Sequence, residues 1–562
     1  MIKGIFSYDK FNIDNYGKVD NFIVKNKPDI KVLDGDLVEF NRITEEIVKV
    51  IKKYEENICG VLEISSKVNL GLTKNNVFIK RFIPYDSKFP NFRVSTKIPY
   101  NPIDKISVIK YNKWDKKIPD GQIISILGNI GDYDAEIEYI KYRNNFKHRS
   151  YGKIFLPKDF IIDKTPDRYD MRDRYTVSID PLNCDDIDDA ISYFYNDYHE
   201  IGIHIADVTS YFDLNHPINK EMVKRSETIY YENKKDNLLP IFLSCDKCSL
   251  LENLDKRAFS IIFKVNNDGT IIDYEIKKTI INVNKNFSYE VAQRRLQKNK
   301  KLNQLYDITK KIYLLKNEKN EHFDTHILVE TLMILCNSKI AEFLIKYSEN
   351  PLLRVHKESL KLDTDDIKLF VESRKSSNSR AFYKQGKVDY CHRGLNEKYY
   401  THFTSPIRRY FDQLVHREVY NIISKKDSLK LDICDELNLV NNKIKKIYNE
   451  LYKLKLAKEL YDNSITSIEI YGFIIDINKD LIKLYLPDYK ISINTNLFSY
   501  KIKHLFKSEL INNSLIVYNS INKKIKLELY ERLDIKLIIS FKNSDYKKKL
   551  QIQIKKLDGF IQ

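Results

Sequence analysis

The chain has 562 residues, and because domains of globular proteins usually hold about 100 to 200 residues, three to five domains are expected. Its 95 Lys and Arg against 78 Asp and Glu give a formal net charge of +17, which favours a polyanionic partner, nucleic acid ahead of a membrane surface. No signal-peptide core, bilayer-spanning apolar run or secreted disulfide framework is evident, so we expect a cytoplasmic protein with free thiols and no membrane partner.

Short strand-like segments separated by turns fill the N-terminal region. Residues 1–45 are turn-rich, and apolar runs then recur at 59–64, 77–84 and 121–128. Several short strands at this spacing are typical of small β-barrels of the OB type. We therefore expect a first OB-type domain at 1–45, short enough to be truncated, and a second at 46–150.

The most informative segment is DPLNCDDIDDA, which holds five carboxylates within residues 180–189 and directly follows the strand-like run YTVSI at 175–179. Carboxylates that a fold brings together in a partly desolvated cleft repel one another unless a cation compensates them. Carboxylate oxygens are hard ligands that favour Mg²⁺, Mn²⁺ or Ca²⁺ over zinc. The segment therefore predicts a divalent-metal site.

Two other interpretations of the acidic segment are less favoured, and so is a zinc site at the CxxC motif further along the chain. A solvated acidic run lacks apolar flanks, whereas this segment lies between two strand-like runs. An EF-hand needs acids at its first, third and fifth positions, but Leu182 and Cys184 occupy the last two. Cys245 and Cys248 form a lone CxxC without the second ligand pair that zinc requires, so we expect a structural role for them.

Two helices are predicted in the middle of the chain. Residues 325–344 are mostly apolar, with Glu330, Asn337 and Glu342 as exceptions, which indicates a helix buried on much of its circumference. At 400–414, Ser405 followed by Pro406 predicts a helix start, which would place Arg408 in the first turn. Such an arginine, near free amides and the positive end of the helix dipole, is suited to bind phosphate.

The C-terminal region is again strand-like. Residues from about 465 run into a turn at 478–480 and return as LIKLYLP, which predicts a hairpin that opens a third barrel. The last stretch, 501–562, holds 14 Lys and Arg against 6 Asp and Glu. This excess suits a surface that follows a phosphate backbone, although a chain so rich in lysine makes many exposed strands basic.

Together these motifs resemble the RNB exoribonucleases, the superfamily of ribonuclease II, ribonuclease R and the catalytic subunit of the eukaryotic exosome. The resemblance rests on the acidic segment, GIHIADVTSYF at 202–212, LLP at 238–240, LS at 243–244, CSL at 248–250 and TSPIRRY at 404–410, in the family's order over roughly 165–425. The phrases GVLEISSKVNLGL and RFIPYDSKFPNFRV resemble the second cold-shock barrel of the eukaryotic branch.

The resemblance implies a multidomain α+β architecture. A mixed α/β RNB catalytic core with a helical tail, at 151–463, would be flanked by two N-terminal cold-shock-like OB barrels, at 1–45 and 46–150, and by a C-terminal S1-like OB barrel at 464–562. The endonuclease domain found ahead of the barrels in the exosome subunit has no room here, so endonuclease activity is not expected.

The implied activity is hydrolysis of single-stranded RNA from its 3′ end to nucleoside 5′-monophosphates by a two-metal mechanism. The implied metal ligands are Asp180, Asp186, Asp188 and Asp189, with Mg²⁺ as the ion and Mn²⁺ as an alternative. Asp188 is expected to be a ligand or to orient the attacking water. Asp185 is the extra carboxylate and is expected to be solvated. We expect a monomer, with single-stranded RNA as its partner.

The resemblance also suggests roles for residues outside the acidic segment. Arg408 would clamp the phosphate in the transition state, with Arg409 in a salt bridge or backbone contact. Tyr230 would stack near the 3′ end, although Tyr231 is an alternative, and Tyr289 would pack at the cleaved nucleotide. Glu330 would accept from a ribose 2′-hydroxyl, although Thr331 stands where the family often has a second Glu. His356 is expected to be structural.

Two other functions remain open on the sequence. A binding-only protein, with barrels around an inactive core, would bind RNA without shortening it. A nuclease directed to DNA would degrade RNA and DNA of one sequence alike. The retained set of four aspartates with Arg408 favours hydrolysis over binding alone.

Overall fold

The computed structural model describes residues 1–8, 16–25, 28, 30–146, 151, 157–160, 168–232, 234–317, 322–356, 381–386, 391–478, 481–497, 506–511, 514–519, 523–543 and 548–557. The chain divides into two compact units, residues 1–147 together with 445–562, and residues 148–444. Within the described ranges, no helix is both long and apolar enough to cross a membrane.

The N-terminal strands form a five-stranded antiparallel sheet of order β3-β2-β1-β4-β5, made of β1 (Ile2–Tyr8), β2 (Gly17–Val19), β3 (Phe22–Val24), β4 (Leu37–Asn41) and β5 (Glu46–Lys52). Side chains of alternate residues, such as Phe6, Val38 and Phe40, are buried on one face. Strand β5 pairs with β4. The predicted boundary at residue 45 is therefore too early, because it would cut this hairpin.

A closed five-stranded barrel follows, of order β10-β8-β7-β6-β9, made of β6 (Asn57–Leu62), β7 (Phe78–Pro84), β8 (Phe92–Thr96), β9 (Lys105–Lys113) and β10 (Asp120–Asn129). Helix α1 (Tyr133–Arg143) packs Ala135 and Tyr139 against Val61 and Ile106 of the barrel. The strands predicted at 59–64, 77–84 and 121–128 fall on β6, β7 and β10. The OB-type barrel predicted in this region is confirmed.

The second unit is built on a seven-stranded sheet of order β11-β18-β17-β14-β13-β12-β19. Its strands, with the two short hairpins β15-β16 and β20-β21, are β11 (Tyr169–Asp170), β12 (Tyr175–Asp180), β13 (Asp189–Tyr195), β14 (His199–Ala206), β15 (Ile229–Tyr230), β16 (Lys235–Asp236), β17 (Asp255–Val265), β18 (Ile271–Asn282), β19 (Lys285–Ser288), β20 (Leu352–Val355) and β21 (Phe382–Gln385). Strands β12, β13, β14, β17 and β18 form an antiparallel series, each paired with the next.

The helices of the second unit bury their apolar sides in one large core with this sheet. They are α2 (Ile218–Arg225), α3 (Tyr289–Arg295), α4 (Lys300–Lys316), α5 (Thr325–Tyr347), α6 (Tyr410–Ile423) and the first part of α7 (Cys434–Asp462). Helix α5 contains the whole of the helix predicted at 325–344. Asp324 caps it by accepting from the amides of His326 and Ile327, each at 2.9 Å.

The phrase GIHIA on β14 has a packing explanation. His204 is fully buried, and its two ring nitrogens bond Ser260 Oγ at 2.7 Å and Ser192 Oγ at 2.8 Å. A Cβ at Gly202 would lie 2.8 Å from the His204 ring, closer than packed atoms approach. Glycine at 202 therefore makes room for a histidine whose polar atoms are both satisfied inside the sheet.

The C-terminal region contains a five-stranded sheet of order β24-β23-β22-β28-β29 and a three-stranded sheet of order β25-β26-β27. Their strands are β22 (Ser467–Asn478), β23 (Leu481–Leu486), β24 (Ile491–Asn496), β25 (Lys507–Ile511), β26 (Ser514–Tyr518), β27 (Lys524–Glu528), β28 (Arg532–Ile539) and β29 (Leu550–Ile554). The predicted hairpin is confirmed, since Asn478 pairs with Leu481, while residues 479–480 of its turn lie outside the described residues.

Helix α7 ends at Asp462, one residue before the predicted boundary at 463, but the helix does not belong to the core alone. Its C-terminal part, from residue 445, groups with the first unit. Glu450 accepts from Asn144 Nδ2 at 3.3 Å, and Tyr452 Oη donates to the carbonyl of Tyr489 at 3.2 Å. These contacts explain why the helical tail packs with the strand-rich regions.

A buried ion pair lies within the first unit. Lys549 Nζ is 2.8 Å from Glu136 Oε1 of α1, and their side chains are 4% and 1% exposed. Lys549 also donates to the carbonyl oxygens of Phe541 and Asn543. Burial raises the pKa of Glu136, which shows that the carboxylate is costly to hold away from water and depends on its partner.

We predict that Lys549→Met lowers the free energy of unfolding by about 3 to 5 kcal/mol, because it leaves the buried Glu136 carboxylate without a counter-ion. The double variant Lys549→Met with Glu136→Leu should lose less than the single one. Urea unfolding followed by circular dichroism measures both, with Lys548→Met, an exposed neighbour, as control. Equal stability of the Lys549 and Lys548 variants would contradict the prediction.

Candidate active site

The acidic loop joins β12 to β13, two strands that pair in the central sheet. Strand β12 ends at Asp180 and the antiparallel strand β13 begins at Asp189, so these two carboxylates lie at the same end of the strand pair. In between, the amide of Ile187 donates to Ser249 Oγ at 3.0 Å and its carbonyl accepts from Leu250 at 3.1 Å. The segment CSL at 248–250 therefore fixes the loop to the core.

Most of the loop's carboxylates are withdrawn from water. Asp186 and Asp188 are each 5% exposed, and Asp180 and Asp189 are half-buried. Burial raises the pKa of Asp180 to about 6 and that of Asp189 to about 8, and the charge of another aspartate adds to each shift. Burial likewise holds the pKa of Asp188 well above its usual range. Such a cluster is short of positive charge and favours cation binding.

Asp185 and Cys184 behave differently from the four buried aspartates. The Asp185 side chain is 61% exposed, in agreement with the solvated position expected for it, and it pairs with Lys235. Cys184 Sγ lies 3.8 Å from Asp186 Oδ1, and burial raises the pKa of this thiol to about 12, with the charges of Asp180 and Asp186 adding to the shift.

Arg408 reaches the acidic loop from a distant part of the chain. Its Nε is 3.3 Å from Asp188 Oδ2, and its Nη2 donates to Ser405 Oγ at 2.9 Å. The amide of Ile407 donates to the other oxygen of Asp188 at 2.7 Å. The Arg408 side chain is 44% exposed, whereas that of Asp188 is 5% exposed, so part of the arginine side chain is accessible to solvent.

The helix expected to start at Ser405 begins instead at Tyr410, so the predicted place of Arg408 in a first helical turn is wrong. The backbone amide of Ser405 donates to Asp412 Oδ2 at 2.7 Å, and Gln413 Nε2 donates to the carbonyl of Pro406 at 2.7 Å. These side chains from the start of α6 hold residues 405–408 as a separate turn. Arg408 is therefore positioned by this turn and by Asp188, without help from the helix amides.

Arg409 and the apolar residues of this segment face the protein interior. Arg409 Nη2 pairs with the buried Asp412 at 3.0 Å, which is one of the two kinds of contact expected for it. A stripe of apolar side chains is also buried, with exposures of no more than 1% at Ile407, Phe411, Leu414 and Val415.

The short hairpin β15-β16 brings Tyr230 and Lys235 to the loop. Tyr230 Oη donates to Asp186 Oδ2 at 2.8 Å, whereas Tyr231 Oη donates to Asp236 at 2.5 Å. Of the two tyrosines that the sequence left open, Tyr230 is thus the one at the acidic cluster. Burial opposes the charge of Lys235, but hydrogen bonds to Asp185 and Asp186 outweigh it and raise the pKa of this lysine.

Tyr289 also lies beside the cluster, at the start of α3 and next to Ser288, which pairs with Asp180 in the sheet. Burial raises its pKa to about 12, and the charges of Asp189 and Asp180 contribute to this shift. One face of its ring stacks on His326, with the ring centroids 4.0 Å apart.

Glu330 is not brought to the cluster in the same way. It is exposed on α5, and no contact within the described residues joins it to the aspartates or to Arg408. Thr331 Oγ1 donates back to the carbonyl of Ile327 at 2.6 Å. His356 is buried, and its ring packs edge-to-face against that of His392 with the centroids 5.4 Å apart.

The donor atoms of the aspartates are of the kind that binds a divalent cation, but their side chains are not arranged around a common point. Asp180 Oδ2 is a buried oxygen without a hydrogen-bond partner, the kind of atom that a cation would satisfy. In the part of the chain that the structure describes, however, no three acidic, His or Cys side chains stand close enough to hold a metal ion. Asp186 and Asp188 are instead paired with Lys235 and Arg408.

Several residues of the site carry no signal in the sequence. Lys235 is one of 95 Lys and Arg, so nothing marks it among its neighbours. Asp412 lies outside the acidic segment, and the Ile407 amide is a backbone group. Ser249 belongs to the motif CSL, which indicates a family but does not predict that its hydroxyl accepts from the amide of Ile187.

Comparison with known proteins places two parts of the chain. The family profile of the RNB domain matches residues 168–425, and that of the Dis3-like cold-shock domain 2 (CSD2) matches residues 80–145. The human exosome complex exonuclease RRP44 is 25% identical in an alignment that covers 90% of this chain and 61% of that protein. The chain thus spans about three fifths of the length of this relative.

Solved structures share the fold. A Mycoplasma genitalium RNase R in complex with ribose-methylated single-stranded RNA superposes with a TM-score of 0.73 at 18% identity, covering 98% of this chain and 100% of that one. Yeast Ssd1, described as a pseudonuclease, gives a TM-score of 0.62 at 16% identity and covers 98% and 96%. The chain therefore contains an RNB domain at residues 168–425 and an OB-type cold-shock domain of the Dis3-like kind at residues 80–145.

Proposed function

We propose that the chain is a hydrolytic 3′-to-5′ exoribonuclease that degrades single-stranded RNA to nucleoside 5′-monophosphates. The observation that carries this proposal is the 3.3 Å contact between Arg408 Nε and Asp188 Oδ2, at the edge of four aspartates that are buried or half-buried. A partly exposed arginine beside carboxylates that need cations is an arrangement suited to a phosphodiester held between positive charges.

The proposed cofactor is Mg²⁺, with Mn²⁺ as an alternative, held by Asp180, Asp186, Asp188 and Asp189. When bound, such ions supply Lewis-acid stabilisation of the scissile phosphate, a more acidic attacking water and compensation of charge on the leaving 3′ oxygen. The buried Asp180 Oδ2, which lacks a hydrogen-bond partner, supports this assignment. The raised pKa values of Asp180 and Asp189 support it as well, because a cation would replace the protons.

The chain's own residues would bind and orient the RNA. Arg408 would contact the scissile phosphate as its negative charge grows, and the turn at 405–408 would hold the guanidinium in place. Tyr230 and Tyr289 would stack on bases or sugars near the 3′ end, each contact contributing about 1 to 3 kcal/mol. Glu330 as a reader of the 2′-hydroxyl has less support, because it is exposed and no contact among the described residues joins it to the cluster.

Single-stranded RNA is the proposed partner, and the strand-rich regions are the proposed binding platforms. We assign cold-shock-like domains to residues 1–52 and to the closed barrel that follows, and an S1-like domain to the region from 464 onward. The net charge of +17 and the lysine-rich last stretch favour a polyanionic ligand. The Mycoplasma RNase R, which shares this fold and was solved in complex with single-stranded RNA, supports the same class of ligand.

A binding-only protein is the second candidate. The fold likeness to the pseudonuclease Ssd1 favours it, as does the lack of an assembled three-ligand group within the described residues. The four aspartates and Arg408 favour hydrolysis, since a repulsive buried cluster has a physical reason to exist where it holds cations.

We predict that 5′-labelled single-stranded RNA is shortened progressively in the presence of Mg²⁺ and remains intact when a chelator is added. Timed digestion on a denaturing gel measures this, and DNA of the same sequence is the matched substrate. Binding without shortening would support the second candidate, and equal degradation of RNA and DNA would reject the proposed reading of the 2′-hydroxyl.

We predict that Asp188→Asn lowers the rate of hydrolysis by at least about 100-fold, because a neutral amide neither holds a metal nor compensates Arg408. RNA affinity, measured by fluorescence anisotropy, should remain because other regions supply it. Asp185→Asn is the matched control and should change the rate by no more than about threefold, since this exposed carboxylate forms a partly solvated pair. Loss of RNA binding in the Asp188 variant would contradict the prediction.

We predict that Arg408→Ala also lowers turnover by at least about 100-fold, because the transition state loses a charged donor. Arg408→Lys should recover only part of the rate, since an ammonium keeps the charge but lacks the planar fork of arginine. Single-turnover digestion measures the chemical step, and circular dichroism verifies the fold. A rate within twofold of the unaltered protein would exclude the proposed role.

A further inference from the structure

The hairpin β15-β16 holds both oxygens of Asp186. Tyr230 and Lys235 are cross-strand partners in this hairpin. Tyr230 Oη donates to Oδ2 of Asp186 at 2.8 Å, and Lys235 Nζ donates to Oδ1 at 2.8 Å. Lys235 pairs with Asp185 as well. One ammonium group therefore compensates two adjacent carboxylates of the acidic loop.

This pair is shielded from water. The Lys235 side chain is 19% exposed, and that of Asp186 is 3% exposed. An ion pair so placed is screened less by solvent and salt than a surface pair. Arg408 provides the corresponding positive charge at Asp188. Lys235 thus pairs with Asp186 and Arg408 pairs with Asp188. This pairing agrees with the lack of a preassembled three-ligand group in the described residues.

We propose that Lys235 is a resident cation that competes with the divalent metal for Asp186. A metal ion that takes Oδ1 of Asp186 as ligand must displace the Lys235 ammonium, and one that takes Oδ2 displaces the Tyr230 hydroxyl and lies beside the positive charge of Lys235. Part of the metal-binding free energy is spent in breaking this shielded pair, so Lys235 lowers the affinity of the cluster for metal. In the absence of metal, the same pair stabilises the loop.

This inference rests on the proposed function, since it assumes that the aspartates bind a divalent ion. It adds a positioning residue to the site and a consequence for regulation. The concentration of free metal at which the site fills is set by the competition with Lys235. Arg408 is not the residue proposed to compete with the metal for Asp186, because its contacts are with Asp188 and Ser405.

The experiment is Mn²⁺ titration of the full chain, followed by electron paramagnetic resonance of the free ion and by calorimetry. Lys235→Met should bind Mn²⁺ about tenfold more tightly than the unaltered protein, because the competing charge is gone. Lys235→Arg keeps a cation and should stay close to the unaltered protein. Lys285→Met is the matched control, since it removes one lysine from a surface pair with Glu252 and should leave the affinity unchanged.

Metal-free stability gives a second measurement. With a chelator present, Lys235→Met should have a lower melting temperature than the unaltered protein. Added Mn²⁺ should restore the melting temperature of the variant, because the ion replaces the lost positive charge. If Lys235→Met does not fold without metal, Lys235→Gln, which removes the charge and keeps a donor, takes its place in the titration.

The outcomes separate the two levels of the hypothesis. The metal site itself is wrong if the unaltered protein does not bind Mn²⁺, or if Asp180→Asn leaves its Mn²⁺ binding unchanged. In either case this inference falls with the metal site. If the unaltered protein binds Mn²⁺ but Lys235→Met binds it equally or more weakly, only the competition is wrong. Tighter binding by Lys285→Met to the same degree would show a general charge effect and would also overturn the role of Lys235.

Discussion

Negative charge that a fold withdraws from water has to be compensated, and this requirement governs the acidic loop. Asp186 and Asp188 are among the least exposed charged side chains of the second unit. Asp186 forms an ion pair with Lys235, and Asp188 forms one with Arg408. Asp180 keeps a buried oxygen without a partner. The arrangement is thus only partly compensated, and the remaining deficit of positive charge favours the binding of a cation.

Backbone contacts bring the three parts of the site together. The amide of Thr228 donates to the carbonyl of Arg408 at 2.8 Å, and the amide of Tyr410 donates to the carbonyl of Ser226 at 2.9 Å. The segment that leads into the β15-β16 hairpin is therefore joined to the segment that carries the arginine. Both segments also contact the acidic loop, Tyr230 at Asp186 and Arg408 at Asp188, so two segments that are distant in the chain act on neighbouring carboxylates.

The sequence predicted those features whose signal is local and dense. Five carboxylates in ten residues pointed to the loop, and the apolar run at 325–344 pointed to α5. The start of α6 was wrong because a Ser-Pro pair is a local helix signal, whereas Asp412 and Gln413 bond the preceding turn and shift the start to Tyr410.

Other features depended on contacts that a sequence does not display. The boundary at 45 failed because the strand after it pairs backward with β4. Tyr230 and Tyr231 are indistinguishable as sequence neighbours, yet β15 ends at Tyr230, whose hydroxyl bonds Asp186, whereas that of Tyr231 bonds Asp236. Lys235 was hidden among many lysines, since its role follows from the register of a hairpin with Tyr230.

Cys184 has a consequence for the selectivity of this loop. With its pKa raised to about 12, the thiol remains protonated at neutral pH, whereas the thiolate is the form that attacks alkylating reagents and binds soft ions. Burial and the neighbouring carboxylates therefore disfavour the thiolate at Cys184, and the oxygen atoms are the donors that the loop presents at neutral pH.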